Sequence, residues 1–393
     1  MNEPLYFDSN ATARMRPEVL DAYVEALRTV GGNPSSLHEP GRRARHLLDD
    51  ARERIAAALH VHEDELVFTS GGTESNNLAL LGSLRPSPRG RMLAVSAIEH
   101  SSVLGPARAL EREGAKLVLL PVDETGTVNL EVLRSTLREP QLALVSTMAA
   151  NNELGTCAPL EELSAALNDA PCRPRWHIDA VQALGRIPLD LRGLRVDLAS
   201  FSLHKLGGPL GVGVLYRRAG VSLEPLFWGG EQEQALRPGT ENVAGAVAAA
   251  RAIELAVAET HSHAARLRRL SARLWMELAV KLPQVRLLGL PIEHPRRLPG
   301  TLNLLCPKID GKVLVMRLDL AGLAISAGSA CASGSLEPSH VLRAIGCNEE
   351  EARAGLRLSL GREVGDEDVD RAVEILWRTL GAANVNADAA KGL

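Results

Sequence analysis

The sequence predicts an α/β fold, a largely parallel sheet with helices on both faces, followed by a second, smaller α/β unit. Three observations carry this. Short apolar, strand-like runs alternate with helix-spaced segments from residue 42 onward. Polar or glycine-rich clusters recur just after those runs, as they do at the carboxyl ends of parallel strands. After Gly239 the alternation yields to a long helical region ending near Leu282, and then resumes.

In chain order, Arg42–Leu59 places Leu47, Leu48, Ala51, Ile55 and Leu59 at helical spacing. Leu66–Thr69 reads as a short strand and Glu74–Leu81 as the helix after it. Met92–Ser96, Lys116–Val122 and Leu142–Thr147 are the next strands, separated by helices at Val103–Glu113 and Leu130–Arg138. Leu160–Leu167 is helical, and Arg175–Asp179, Leu198–Phe201 and Gly211–Tyr216 complete the strand series. Near-continuous apolar strands of this kind are buried on both faces. The smaller unit ends in a helix at Asp366–Leu380, and the small, polar tail Gly381–Leu393 is expected to fray. No internal repeat or low-complexity block is present.

Composition excludes several classes of function. A chain of 393 residues buries a sizeable core without staples. The net charge of -4 gives no general attraction to nucleic acid or to anionic membranes. The arginine clusters at Arg42, Arg43 and Arg45, and at Arg266, Arg268 and Arg269, read as solvated helix faces. Met1–Asn10 lacks an apolar signal core. The most apolar stretch, Val243–Ala258, carries Arg251 and Glu254 and reads as a packed helix rather than a membrane span. Five scattered cysteines form neither a disulfide framework nor a metal pattern, so a reducing cytoplasm is the simplest home and no metal is expected.

Chemistry concentrates in a few segments. Lys205 is one of only six lysines and lies between a strand and the glycine-rich run Gly207–Gly211, with Ser202 and His204 beside it. A lone lysine at a strand end is usually a surface residue, but a lysine that attacks a carbonyl needs a partly desolvated setting such as this. Phe68–Glu74 runs a strand through Gly71 and Gly72 into a helix opening with Thr73, where free N–H groups favour an anion; alone, it could also be a plain strand–helix turn. Asp179 ends an apolar strand, with Gln182 three residues on; it reads equally as a helix cap or as the partner of a cofactor's ring nitrogen. Glu99-His100 and Asn151-Asn152-Glu153 follow two further strands. Cys331 sits among small residues in Ser326–Gly334, a setting that gives a thiol access, whereas Cys157, Cys172, Cys306 and Cys347 read as structural.

Taken in order and spacing, these segments resemble the cysteine desulfurases of the class V aminotransferase group. The likeness runs from Tyr6–Thr12 to Arg357–Arg362 and includes Gly32–His38, Thr69–Asn76, Asn151–Gly155, Arg237–Thr240 and Ser326–Pro338. It implies the fold type I of pyridoxal 5'-phosphate (PLP) enzymes: a large domain over 15–261 with a mainly parallel seven-stranded sheet, and a small domain formed by 1–14 and 262–393. The small domain would carry the catalytic cysteine loop, about 326–338.

The resemblance further implies PLP as cofactor and L-cysteine as substrate. Lys205 would form the Schiff base with the cofactor. Thr73, Ser202 and His204, with the Gly72 backbone, would hold its phosphate, and Thr240 would reach the phosphate of the neighbouring subunit in a homodimer. Asp179 would face the ring nitrogen, Gln182 and Asn152 the ring hydroxyl, and His100 would stack on the ring and move protons. Arg357 would clamp the substrate carboxylate, with Asn33 a further candidate there. The Cys331 thiolate would take the sulfur as a persulfide, leaving alanine, and the long loop after it matches the family branch with a mobile sulfur-carrying arm.

Three features depart from the family pattern: Leu203 where a small residue is common, Gln234 where an arginine is common, and a tail unlike the ending some relatives use to dock an iron–sulfur scaffold. The sulfur acceptor, whether such a scaffold or another protein, is therefore left open. A selenocysteine lyase or an aminotransferase of the same fold would need Lys205 but no cysteine on this loop. A non-catalytic sulfur-relay subunit is disfavoured by the intact Lys205, Asp179, His100, Arg357 and Cys331. No basic, aromatic-rich face points to nucleic acid.

Overall fold

The computed structural model describes residues 4–87, 90–307, 309–328 and 337–389, with side chains described as far as residue 381. After the short strand β1 (Leu5–Tyr6), helices α1 (Pro17–Thr29) and α2 (Glu39–Leu59) precede the alternating region. There β2 (Leu66–Thr69), α3 (Gly72–Leu84), β3 (Met92–Ser96), α4 (Ser101–Arg112), β4 (Lys116–Leu120) and α5 (Leu130–Thr136) follow one another. Next come β5 (Leu142–Met148), α6 (Leu160–Asn168), β6 (Arg175–Asp179), β7 (Leu198–Ser202) and β8 (Gly213–Arg217).

These strands form one seven-stranded sheet in the order β2-β8-β7-β6-β5-β3-β4. Pairing is parallel from β7 through β4, and β8 alone runs against its two neighbours. Strands β3, β5 and β7 are buried at every position, which is why they read as unbroken apolar runs. His177, in the middle of β6, is fully buried and bridges the strands on either side: Nδ1 pairs with Ser146 Oγ at 2.8 Å and Nε2 with Ser200 Oγ at 3.0 Å. Burial pushes its pKa down to about 3, so the ring is neutral.

The C-terminal part begins with α7 (Val243–Ala258) and α8 (Thr260–Lys281), two helices meeting at Glu259 where the sequence reads as one helical region. Then follow β9 (Arg286–Leu287), β10 (Thr301–Leu305), α9 (Gly311–Leu320), β11 (Leu323–Ala324), α10 (His340–Ala344), α11 (Glu349–Arg353), β12 (Gly355–Ser359) and α12 (Asp366–Ala389). Strands β12, β10 and β9 make an antiparallel sheet, while β1 pairs with β11. A separate apolar cluster of α8, α9, α12, β10 and β12 side chains, including Leu270, Leu274, Leu314, Leu358 and Leu376, backs this part. Two expectations are corrected. Helix α1 lies outside the predicted alternation, although Pro17 at its first position is a good start signal. Helix α12 continues to Ala389 rather than stopping at Leu380, because Gly381–Ala389 contains neither a proline nor a second glycine to end it. No described helix is long and apolar enough to cross a membrane.

Candidate active site

A cavity of about 200 Å³ opens at the carboxyl ends of β2, β3, β5, β6 and β7. Its wall includes Gly72, Thr73, His100, Asn152, Asp179, Gln182, Ser202, His204, Lys205 and Arg357. Ten positions spread over nearly 290 residues of chain are thus gathered at one place, where doubly wound sheets bind ligands.

Each side chain is held by the element it caps or ends. Helix α3 starts at Gly72, so the N–H groups of its first turn lack intrahelical acceptors and carry the positive end of the helix dipole. A Cβ at Gly72 would come within 2.9 Å of Val181 Cγ2, so any side chain there would force Val181 to shift. His100 caps α4, its Nδ1 accepting the Ser102 N–H at 3.1 Å and lying 2.7 Å from Ser102 Oγ. Asp179 ends β6, is buried, and accepts from Asn76 Nδ2 at 2.8 Å and from the Val181 N–H at 3.0 Å. Glu99, fully buried beside it, has its carboxyl pushed well above the usual range by burial and by the charge of Asp179; Oε1 accepts from the Met148 N–H at 2.6 Å.

After β7, a single helical turn carries His204 and Lys205. Burial and the neighbouring Lys205 lower the pKa of His204 to about 4, and its Nδ1 pairs with Thr12 Oγ1 at 3.0 Å. Lys205 Nζ donates to the Asn10 carbonyl at 2.7 Å and also to that of Ala11. The same Asn10 carbonyl accepts Gln182 Nε2 at 3.0 Å, whereas Gln182 Oε1 is buried without a partner among the described residues. Arg357 reaches in from β12: its Nη2 pairs with Asp8 Oδ1 at 2.7 Å and its Nη1 donates to the Asn152 carbonyl at 3.2 Å.

Two expected residues lie elsewhere in the single chain. Asn33 is exposed and its Oδ1 accepts the Ser35 N–H at 2.8 Å within its own loop. Thr240 is exposed and lines a different cavity, with Ser70 and Glu241. Cys331, and with it most of the expected loop, lies outside the described residues. The four described cysteines are free; burial drives the Cys157 and Cys306 thiols up to about 12 and raises Cys347, which makes these three poor nucleophiles. Leu203, unusual beside the histidine–lysine pair, is fully buried in the main core. Gln234, exposed, donates to the Asp64 carbonyl at 3.0 Å.

Several wall residues went unassigned from sequence. Asn10 links the two ends of the chain: Nδ2 donates to the Asn152 carbonyl and to Thr301 Oγ1, Oδ1 accepts from buried Arg186 at 2.5 Å, and its N–H donates to Ser359 Oγ. Asn76 and Ser102 in the wall, and Asp8, which pairs with Arg357 outside it, were likewise missed. The signal available was their position inside or next to motifs already singled out, Tyr6–Thr12, Thr69–Asn76 and Glu99-His100.

The family model for aminotransferase class-V matches residues 5–372. The chain is 42% identical over 373 residues to cysteine desulfurase IscS 1 of Archaeoglobus fulgidus, covering 94% of this chain and 95% of that one. Among solved structures, a NifS-like protein superposes with a TM-score of 0.89 at 37% identity, over 96% of this chain and 99% of the other. SspA in complex with cysteine follows at a TM-score of 0.76 and 31% identity, over 91% and 98%. With its cavity at the strand ends and this likeness along nearly its whole length, the chain belongs to the class-V aminotransferase family and, within it, to the cysteine desulfurases.

Proposed function

We propose that this protein is a PLP-dependent cysteine desulfurase that converts L-cysteine to L-alanine and takes the sulfur as a persulfide on Cys331. One observation carries the reading: Lys205, Asp179, His100 and Arg357 line the same cavity, in a chain whose relatives are named cysteine desulfurases. The donor set fits PLP. Gln182 Oε1 is a buried acceptor that needs a donor, as a ring hydroxyl provides, and Asp179 is a buried carboxylate suited to a protonated ring nitrogen. The first turn of α3, the close backbone approach at Gly72, and Thr73, Ser202 and His204 suit a phosphate.

When bound, PLP supplies an electron sink for the substrate's α-carbon. Asp179 keeps the ring nitrogen protonated, while Gln182 and Asn152 receive the ring hydroxyl. Lys205 would hold the cofactor, and its amine would be the base for the substrate's α-proton. Arg357 offers a planar fork to the substrate carboxylate. The Cys331 thiolate attacks the substrate sulfur; the S–S bond forms as the C–S bond breaks, the electron pair stays with carbon, and a proton completes alanine. The persulfide passes to an acceptor protein, an iron–sulfur scaffold being one candidate. The same reading divides the chain into a large domain, 15–261, and a small one, 1–14 with 262–393. It makes the active form a cytoplasmic homodimer, with Thr240 serving the neighbouring subunit's phosphate.

The test measures alanine and sulfide from L-cysteine with a reductant, comparing the parent with Cys331→Ala. Alanine in step with sulfide, lost in the variant while the cofactor remains bound, is the expected result. A variant that makes alanine as fast as the parent removes Cys331 from the reaction and leaves a lyase or aminotransferase.

A further inference from the structure

We propose that Ser102, held by Asn76, is a positioning residue that fixes the His100 imidazole as the tautomer carrying its proton on Nε2, and ties that ring to Asp179. The inference rests on the desulfurase reading for its catalytic meaning but on hydrogen-bond geometry for its substance.

The direction of every bond in the chain is forced. Asp179 Oδ2 can only accept, so the Asn76 atom 2.8 Å away is the amide nitrogen, a donor. That nitrogen has a second hydrogen, and Ser102 Oγ lies 2.8 Å from it. The Ser102 hydroxyl therefore accepts from Asn76, and its one hydrogen is free for His100 Nδ1 at 2.7 Å. The reverse assignment, Nδ1–H donating to Ser102, is excluded by the Ser102 backbone N–H. A backbone amide can only donate, and it meets the same Nδ1 at 3.1 Å. Two donors thus converge on Nδ1, which must present its lone pair, so the neutral ring keeps its proton on Nε2.

The fold adds a further bias. His100 caps the N-terminus of the twelve-residue helix α4, where the dipole disfavours a cation. Of the charged groups sharing its cavity, Lys205 and Arg357 oppose an imidazolium and Asp179 favours one, while His204 is neutral at neutral pH. Glu99, next in the chain, has its carboxyl pushed well above the usual range by burial and by Asp179, which disfavours a charge there; its carbonyl pairs with His340 Nε2 at 2.9 Å. Asn76 and Ser102 are both buried, so the array is shielded from water. It positions rather than conducts: an amide hydrogen does not ionise near neutral pH, so no proton passes from Asp179 through Asn76. Its effect is to hold the ring plane and to keep the ring's proton on Nε2.

The experiment is nitrogen NMR of the full-length protein labelled with ¹⁵N-histidine, the His100 signals being assigned by their loss in His100→Gln. The parent is expected to show an unprotonated Nδ1 and a protonated Nε2. In Ser102→Ala, one of two donors to the lone pair is gone, and the ring should protonate at a pH higher by roughly half to one unit, as for one net hydrogen bond. Ser102→Thr, which keeps the hydroxyl, should restore the parental midpoint. The acid limb of the pH profile of kcat/KM should move with the ring. A parent whose His100 carries its proton on Nδ1 overturns the proposal, and so does a folded Ser102→Ala that titrates at the parental pH. The parent's signals decide the tautomer even if the variant fails to fold. They are read without turnover, so a protein that makes no alanine would overturn the proposed reaction and leave this assignment standing.

Discussion

Acidification from pH 7 to pH 5 should destabilise this protein by about 2 kcal/mol through His177 alone. The ring is fully buried between β5 and β7, and its pKa falls from 6.5 to about 3. The folded pKa is below the unfolded one, so as pH falls the unfolded chain takes up the proton first. The stabilising difference is therefore intact above about 6.5 and is lost as pH drops, at up to about 1.4 kcal/mol per pH unit, until it levels off near 3. At pH 5, 1.5 units below the unfolded value, that amounts to roughly 2 kcal/mol. Other groups titrate in the same range, so the measurement is a difference. Urea unfolding of the parent and of His177→Gln, followed by tryptophan fluorescence to which buried Trp176 contributes, gives the stability gap at each pH. Glutamine keeps a donor and an acceptor for Ser146 and Ser200 but does not titrate. The gap between the two proteins should shift by about 2 kcal/mol towards the variant between pH 7 and pH 5. A gap independent of pH would refute the reasoning.

Two other predictions concern Arg357 in the cavity wall and Glu99 beside Asp179. Arg357→Lys keeps the charge but not the fork held between Asp8 and the Asn152 carbonyl, so kcat/KM for L-cysteine should fall on the order of 10- to 100-fold, mainly through KM. Steady-state alanine formation checks this, and an unchanged KM would take Arg357 out of carboxylate binding. Burial and Asp179 disfavour a charge on Glu99, and one of its oxygens accepts the Met148 N–H, so Glu99→Gln, which keeps that acceptor without a charge, should match the parent's stability. Glu99→Ala, which leaves that N–H buried and unpaired, should lose about 1–3 kcal/mol in the same denaturation assay.

Much of this site is legible in the sequence because its anchors follow local signals. Buried strands such as Met92–Ser96 and Arg175–Asp179 end where the text turns polar, and Asp179, His100 and Lys205 are the polar residues found there. The glycine step into α3 is only half local: the backbone at Gly71, with φ of +154°, favours glycine, whereas the space at Gly72 is limited by Val181, which follows β6. Cys331 is known from the sequence alone, by its small neighbours and its family motif, and lies outside the described residues.

The partners of those anchors are another matter. Arg357 meets Asp8 across 349 positions, Arg186 meets Asn10 across 176, and Asn76 meets Asp179 across 103. No periodicity encodes such pairs, because they depend on the order of strands in the sheet and on β12 delivering its arginine to the carboxyl ends of strands in a different sheet. The same holds for protonation. The sequence offers His177, His204 and Glu99 as ordinary titratable side chains, and only burial and a neighbouring charge make the first two hard to protonate and the third hard to ionise. The sequence by itself determined which residue types stand at the strand ends and hence the class of chemistry. The tertiary structure decided which of them touch, which are dry and which carry protons, because desolvation and hydrogen-bond direction are properties of the packed chain and not of any segment of it.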